Sequence, residues 1–273
     1  MTPATDPSTV LQFNDVSLGY GDFTVLKHID LNVKKGQVVA LMGGSGSGKT
    51  TLLRAATGQI FAQTGTVSAF NTNLAQLDYH ALQALRQRMG VLFQHGALFT
   101  DLNVFENVAF PLREQTKKTE TEITQIVLEK LEAVGLRAAA HLYISEISGG
   151  MARRVALARA IVLEPELILY DEPFAGLDPI SLGITAQLIR RLSDQLNCAS
   201  VIITHDVPES FKIADHVYIV GQGKLITSGT PTQLMAPTDA YAQQFLNGKP
   251  DGPIAFNYPV TPAFENWLKK HKL

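Results

Sequence analysis

Gly43-Gly44-Ser45-Gly46-Ser47-Gly48-Lys49-Thr50-Thr51 is the stretch whose reading decides the fold. It follows Val38-Val39-Ala40-Leu41-Met42, an apolar run that reads as a buried strand, and precedes Leu52-Leu53-Arg54-Ala55-Ala56, the first turns of a helix. A glycine-rich turn between strand and helix leaves successive backbone N–H groups pointing inward, and the helix dipole adds positive potential. That is a cradle for phosphate oxygens. Lys49 is placed to reach β- and γ-phosphates, and the Thr50 hydroxyl to ligate Mg²⁺. Glycine at positions 43, 46 and 48 permits close backbone approach. The motif implies a bound nucleoside triphosphate and leaves open what its energy drives.

The chain has 273 residues, enough for one large or two small domains. Apolar content of 45% and charged content of 18% fit a globular protein. A net charge of −2 offers no basic field for nucleic acid. The one cysteine, Cys198, excludes an internal disulfide and suits a reducing compartment, where it reads as a buried, inert thiol. The polar leader MTPATDPSTV lacks the basic and apolar regions of a signal peptide. No apolar stretch approaches the roughly eighteen residues of a membrane span. A role at a membrane therefore requires another chain to provide the span.

Alternation over Val10 to Leu18 and Thr24 to Val33 predicts paired antiparallel strands, joined by a turn at Tyr20-Gly21-Asp22. Gly65 to Phe70 reads as a short strand, Tyr79 to Arg88 as a helix and Met89 to Phe93 as a strand. From Gln94 to about Glu146 the pattern turns helical, over Val104 to Phe110 and Ile123 to Val134, with the charged run Lys117 to Glu122 at a solvated helix start. A further helix runs from Gly149 to Leu163, ended by Pro165. Beyond it come strands Leu167 to Tyr170 and Ala199 to Thr204, helices Pro179 to Asn197 and Pro208 to Ala214, and a hairpin of His216 to Val220 with Lys224 to Ser228. Strands alternating with helices argue an α/β parallel sheet with an inserted helical segment.

Leu167-Ile168-Leu169-Tyr170-Asp171-Glu172 is an apolar strand ending in two carboxylates. Downstream of a phosphate loop, Asp171 is placed to hold Mg²⁺ opposite Thr50, and Glu172 to polarise the water attacking the γ-phosphate. Val201-Ile202-Ile203-Thr204-His205-Asp206 is a second such strand. It brings His205 to the sheet edge where open α/β sheets bind ligands. Gln94, after Val91-Leu92-Phe93, is placed to sense Mg²⁺ and water from the start of the insert. Ser148-Gly149-Gly150 opens a helix and is a second anion-binding N-terminus in one chain. One nucleotide has no evident need of two. If two copies pair head to tail, each loop can cap the γ-phosphate held by the other, and dimerisation then depends on ATP.

This order of motifs resembles the ATP-binding subunit of ABC transporters over about residues 8–235. The resemblance implies a RecA-like P-loop core with an antiparallel β-subdomain and an inserted helical subdomain. Tyr20 then matches the aromatic that stacks on adenine, and Gly43 to Thr51 the Walker A loop. Gln94 matches the Q-loop, Ser148-Gly149-Gly150 the signature and Asp171-Glu172 the Walker B pair. Ala175-Gly176-Leu177-Asp178 resembles the D-loop, with Asp178 at the dimer interface, and His205 the switch histidine. ATP and Mg²⁺ are the implied ligands. Met151 departs from the usual glutamine after the signature glycines. SGGMARRVALARAI and the tail FLNGKPDGPIAFNYP resemble the subgroup that serves MCE-type lipid carriers. That subgroup implies phospholipid movement across a Gram-negative envelope, from the cytoplasmic face of the inner membrane. The implied partners are a second copy of the chain, a membrane permease, an MCE protein and a STAS-domain regulator, with no nucleic acid.

The expected division is a first part of the core with the β-subdomain (1–95), a helical subdomain with the signature (96–155), the rest of the core (156–235) and a C-terminal extension (236–273). Phe99, Leu102, Val104 and Phe105 are candidates to line a groove for the permease or to fill the insert's own core. Tyr241 to Leu246 reads as a helix, Gly248 to Pro253 as a break. The aromatics Phe256, Tyr258, Phe264 and Trp267 pack on the chain or on a partner. Other readings are transport of a different solute, a soluble ABC ATPase of DNA repair or translation, and a small-molecule kinase. The soluble ATPase lacks its coiled coils, zinc modules or second cassette here, and a kinase has no use for the loop at Ser148.

Overall fold

The computed structural model describes residues 6–255 and 260–271. Phe256 and Tyr258 lie outside them. The chain divides into two compact units, Met1–Met235 and Ala236–Leu273.

In the first unit, β1 (Thr9–Tyr20) and β2 (Phe23–Lys34) form the expected antiparallel hairpin, with Tyr20 opposite Phe23. Alternation, shifted by one residue at His28 (φ 53°), puts Leu11, Phe13, Leu26, Ile29 and Val33 inside. Next come β3 (Val38–Met42), α1 (Lys49–Ala56), β4 (Thr64–Ala69), β5 (Thr72–Asn73), α2 (Tyr79–Arg86) and β6 (Met89–Leu92). Helices α3 (Val104–Gln115), α4 (Glu120–Ala133) and α5 (Gly149–Ile161) form the helical segment. They lead into β7 (Leu167–Asp171), α6 (Pro179–Leu196), β8 (Ala199–Thr204), α7 (Val207–Ile213), β9 (His216–Gly221) and β10 (Lys224–Gly229).

The described strands make two sheets, ordered β2-β1-β4-β5 and β10-β9-β3-β8-β7-β6. In the second, β9, β3, β8, β7 and β6 are parallel, and β10 pairs antiparallel at the edge. Each central strand is buried on both faces. Val39, Leu41, Leu169 and Val201 pack with β1, β2 and α1, whereas Val38, Ile168, Tyr170 and Ile202 pack with the helical segment and α6. Burying Val38, Val39, Leu41 and Met42 contributes on the order of 1.5–3 kcal/mol each. Ordering a residue's backbone costs about 1–2 kcal/mol. The strand is therefore held only as a paired, doubly covered member of the sheet. Its C-terminal end opens directly into the phosphate loop.

The helical segment differs in detail from the sequence reading. Helix α3 runs on to Gln115, past Pro111. A proline removes a single ladder bond, here to the Asn107 carbonyl, and packing of Val108 and Leu112 carries the helix through. Asn107 is itself buried. Its side-chain oxygen accepts from Phe99 N (2.8 Å), and its Nδ2 donates to the carbonyls of Phe99, Leu102 and Asn103 (3.0–3.2 Å), so one amide pins loop 99–103. The charged run at Lys117 resolves into a capping box. Thr119 and Glu122 satisfy each other's backbone N–H, and the helix starts only at Glu120. Helix α5 ends at Ile161, short of Leu163, because Glu164 turns left-handed (φ 53°) and pairs with Lys130 at 2.8 Å. Val104 is fully buried and belongs to the insert's core, not to a groove. Phe99 stays 40% exposed and lies against Phe110, ring centroids 4.8 Å apart.

In the second unit, α8 (Ala240–Asn247) is capped by Asp239 and ended by Gly248 (φ 59°). The Gln244 side chain then bonds both the N–H and the carbonyl of Ile254 at 2.8 and 2.9 Å, folding the expected break back on the helix. Helix α9 (Pro262–Lys270) starts at a Thr261 cap. Phe264 and Trp267 stack at 6.0 Å and remain about half exposed. Among the described residues, no helix is long and apolar enough to cross a membrane.

Candidate functional site

The loop between β3 and α1 forms as its glycines require. Gly43, Gly46 and Gly48 all have positive φ (155°, 73° and 99°). A Cβ on Gly43 would meet the Val220 carbonyl oxygen at 2.1 Å, and one on Gly48 would meet Leu26 at 2.8 Å. The loop therefore lies flush against β9 on one side and β2 on the other. Lys49 is buried, and its Nζ donates to the carbonyls of Gly43 (2.8 Å) and Gly44 (2.9 Å). Burial lowers its pKa, and the nearby carboxylates of Glu172 and Asp171 act in the opposite sense.

Ser45, Gly46, Lys49, Thr50, Gln94, Asp171, Glu172 and His205 line one cleft of about 470 Å³. Residues from four separate stretches thus meet at the C-terminal edge of the parallel sheet, as expected for an open α/β sheet. Glu172 sits at the end of β7 in a left-handed conformation (φ 47°), with its N–H bonded to the Ile203 carbonyl at 2.8 Å. His205 Nδ1 approaches its Oε2 to 3.0 Å. The pair lacks hydrogen-bond alignment, and that buried oxygen has no hydrogen-bond partner among the described residues. Its acceptor capacity is left unused by the described residues.

Burial, and then the charge of Glu172, raise the Asp171 carboxyl above its ordinary range, while Lys49 and Arg54 pull the other way. Ionised Asp171 therefore opposes folding in the absence of a cation. A hydroxyl (Thr50), an amide (Gln94) and a carboxylate (Asp171) facing one cleft suit Mg²⁺, which takes few protein ligands and completes its shell with phosphate and water. The folded chain keeps the Asp171 proton to a higher pH than the unfolded chain does. Its destabilising effect thus appears as pH rises through the raised pKa and is relieved below it. Asp171→Asn is expected to raise the melting temperature of the nucleotide-free chain near neutral pH, by about 1 kcal/mol in stability, and to abolish Mg²⁺-dependent hydrolysis. Thermal unfolding with and without Mg²⁺ measures this. A lower melting temperature would show that Lys49 and Arg54 outweigh the repulsion.

Tyr20 stands 45% exposed at the hairpin tip. Hydrogen bonds with Thr51 and then Arg54 lower its phenol pKa, and Arg54 Nη1 donates to its oxygen at 3.1 Å. The phenol oxygen is thus tied to α1. Ser47 lies within the loop with its hydroxyl buried.

Ser148, Gly149 and Gly150 are not part of this cleft. Ser148 caps α5, its Oγ accepting from Met151 N at 3.2 Å. Gly149 faces a second concavity, of about 500 Å³, with Gln94, Gly96, Arg153, Ala175 and Gly176. A Cβ on Gly150 would meet Ser181 Oγ at 2.7 Å, which fixes α5 against α6. Met151 packs on the helical core, so this position serves packing where an amide would be free to reach out. Asp178 is exposed and caps α6, accepting from Ile180 N (3.0 Å) and Ser181 N (3.1 Å).

Sequence reasoning passed over two arginines. Arg153 Nη1 donates to the Phe93 carbonyl at 3.0 Å and Nη2 to that of Ala175 at 3.3 Å. Arg159 bonds the carbonyls of Ala97 (2.8 Å) and Gly96 (2.6 Å). Their partners are main-chain atoms of distant loops, which no local pattern announces.

A family model described as ABC transporter matches residues 26–175. The chain is 50% identical to the intermembrane phospholipid transport system ATP-binding protein MlaF of Haemophilus influenzae, over 92% of this chain and 95% of that one. It is 48% identical to the protein of the same name in Escherichia coli, over 93% and 94% of the two chains. Among solved structures, a dimeric post-hydrolysis state of an ATP-binding cassette, bound to ADP and phosphate, superposes with a TM-score of 0.73. That cassette is 28% identical, and the match covers 81% of this chain and 98% of that one.

Proposed function

Because the chain belongs to the ABC transporter family of ATP-binding proteins, we propose that it is the ATP-hydrolysing subunit of a system that moves phospholipid between the two membranes of a Gram-negative envelope. One observation carries the cargo assignment. The 50% identity with the Haemophilus protein extends over 251 residues, more than the 235 of the first unit, so it takes in part of the C-terminal extension as well as the cassette.

The nucleotide chemistry follows from the cleft. Lys49 exchanges the carbonyls of Gly43 and Gly44 for β- and γ-phosphate oxygens, and the N–H groups of Gly44 to Thr51 surround the phosphates. Tyr20 stacks on the adenine. Thr50, Asp171 and Gln94 would hold Mg²⁺, which would neutralise charge on the phosphate oxygens. Glu172 orients the attacking water through its carboxylate and takes up its proton. His205 hydrogen-bonds the γ-phosphate. The loop Ser148-Gly149-Gly150 of a second copy caps the same phosphate, with Asp178 near the contact. The separation of that loop from the chain's own cleft supports this sharing.

Residues 96–155 act as the helical subdomain between the two core parts, 1–95 and 156–235. Loop 99–103 and Phe110 offer the exposed surface for the permease. The permease is MlaE-like, and an MlaD-like MCE protein and an MlaB-like STAS-domain regulator complete the complex at the cytoplasmic face of the inner membrane. The extension 236–273 reaches a protein partner through Phe264 and Trp267.

A tagged chain purified in mild detergent is expected to carry these membrane partners. Reconstituted in vesicles with fluorescent phospholipid, the complex is expected to move lipid only with hydrolysable ATP. An ATPase-active complex that moves no phospholipid would redirect the assignment to another solute, and copurified nucleic acid would overturn it.

A further inference from the structure

Arg153 lies in the second turn of α5, and its guanidinium is buried, with 7% of the residue exposed. Burial displaces its pKa downward, and no carboxylate among the described residues forms an ion pair with it. Its charge is held by two main-chain carbonyls, Phe93 on the loop that carries Gln94 and Ala175 on the loop that leads to Asp178. A buried cation without a counter-ion is a costly arrangement, tolerated where hydrogen bonds hold it. Those bonds join three segments that otherwise have separate places in the sequence. Six residues on, Arg159 holds the far end of the first loop through the carbonyls of Gly96 and Ala97, both left-handed (φ 72° and 50°). A Cβ on Gly96 would lie 3.3 Å from Ala156. The loop from Phe93 to Ala97 is thus gripped at both ends by one helix, and that helix begins at Ser148.

We infer that Arg153 is a positioning residue for ATP hydrolysis, tying the Gln94 loop and the Asp178 loop to the helix that presents Ser148-Gly149-Gly150. The inference rests on the nucleotide roles proposed above for those residues. A displacement of Gln94 toward the metal and the γ-phosphate is passed through one rigid fork to the start of α5 and to the loop at Ala175. Filling a chain's own cleft then sets the surfaces it offers to the second copy. The planar guanidinium suits this, because its two Nη atoms diverge to two acceptors at fixed geometry, whereas a lysine ammonium is a single point on a flexible stem. Arg153 touches no reacting atom; it acts on the alignment of groups that do, and small misalignments of that kind cost about 100-fold in rate.

The test compares Arg153→Gln, Arg153→Lys and Glu172→Gln in the purified transporter complex. Turnover, KM for ATP, binding of a fluorescent ATP analogue without Mg²⁺, and thermal unfolding are measured for each. Arg153→Gln is expected to lower kcat by about tenfold or more, with KM and analogue affinity within about twofold of the parent; Arg153→Lys is expected to recover part of the loss. The double variant with Gln94→Ala is expected to lose no more than the worse single variant, since the two act in series. A folded Arg153→Gln protein with parental kcat overturns the inference, as does a loss that appears equally in analogue affinity, or fully additive effects with Gln94→Ala. If Arg153→Gln does not fold, Arg153→Lys decides by the same split between kcat and KM. Glu172→Gln at parental turnover would instead overturn the underlying site assignment, whatever Arg153 does.

Discussion

Glu172→Gln is expected to bind ATP with Mg²⁺, close into a dimer and stop there. The substitution keeps the side chain's size and removes its capacity to accept a proton from water. General-base catalysis contributes about 10²–10⁴-fold, so turnover should fall by that factor while nucleotide affinity holds or rises. Affinity should not suffer, because removing the negative charge relieves its repulsion of Asp171. Size-exclusion chromatography with and without ATP measures the dimer, and phosphate release measures turnover. The backbone should be undisturbed, since the left-handed turn and the N–H bond to Ile203 are main-chain features. A hydrolysis rate within about twofold of the parent would reject Glu172 as the group that activates water.

Lys49→Ala should show the reverse pattern, with the first loss in binding. Hydrogen bonds to charged groups are worth about 1.5–3 kcal/mol net, and a factor of ten in affinity corresponds to about 1.4 kcal/mol. Affinity for ATP should therefore fall about 10- to 100-fold, read by titration with a fluorescent analogue. The fold should survive, because the loop's shape is set by Gly43 against Val220 and Gly48 against Leu26 as well as by the lysine. Undiminished affinity would mean that Lys49 does not leave the carbonyls of Gly43 and Gly44 when nucleotide enters. The two variants together separate holding the nucleotide from cleaving it.

The elements that position the site were legible where periodicity and local chemistry agree. Alternation over β1 and β2, the apolar runs of β3, β7 and β8, and the glycine spacing before α1 each constrain the backbone within a few residues. The acidic pair and His205 were legible because each ends such a run. Helix ends were harder. Pro111 reads as a stop, yet packing of Val108 and Leu112 outweighs one missing bond. Asn107, a polar residue within that helix, is the buried clamp of loop 99–103, a role no local pattern announces. Arg153 and Arg159 look like charged helix residues, and only the fold brings them to carbonyls sixty residues or so away. Val104 had two readings, groove or insert core, because composition cannot tell the inner face of a short helix from the outer; its burial decides for the core. The aromatic tail had two readings, packing on the chain or on a partner, and Phe264 and Trp267 are each about half exposed.

The place of β3 in its sheet bears on how the chain is made. This strand is the first of its sheet in the sequence and does not pair with the next one, β6. Val38 pairs with Ser200 on β8, and Val39 with Ser200's successor and with His216 on β9. The phosphate loop, although encoded near the start, gains its two flanking strands only after about 180 further residues have left the ribosome. At about 5–20 residues per second, this interval is on the order of ten seconds. Throughout it, Val38 to Met42 is an apolar segment without its partners. Nascent chains that end before β8 should accordingly bind no nucleotide and depend on chaperones, and ATP should stabilise the chain only once β9 has been added.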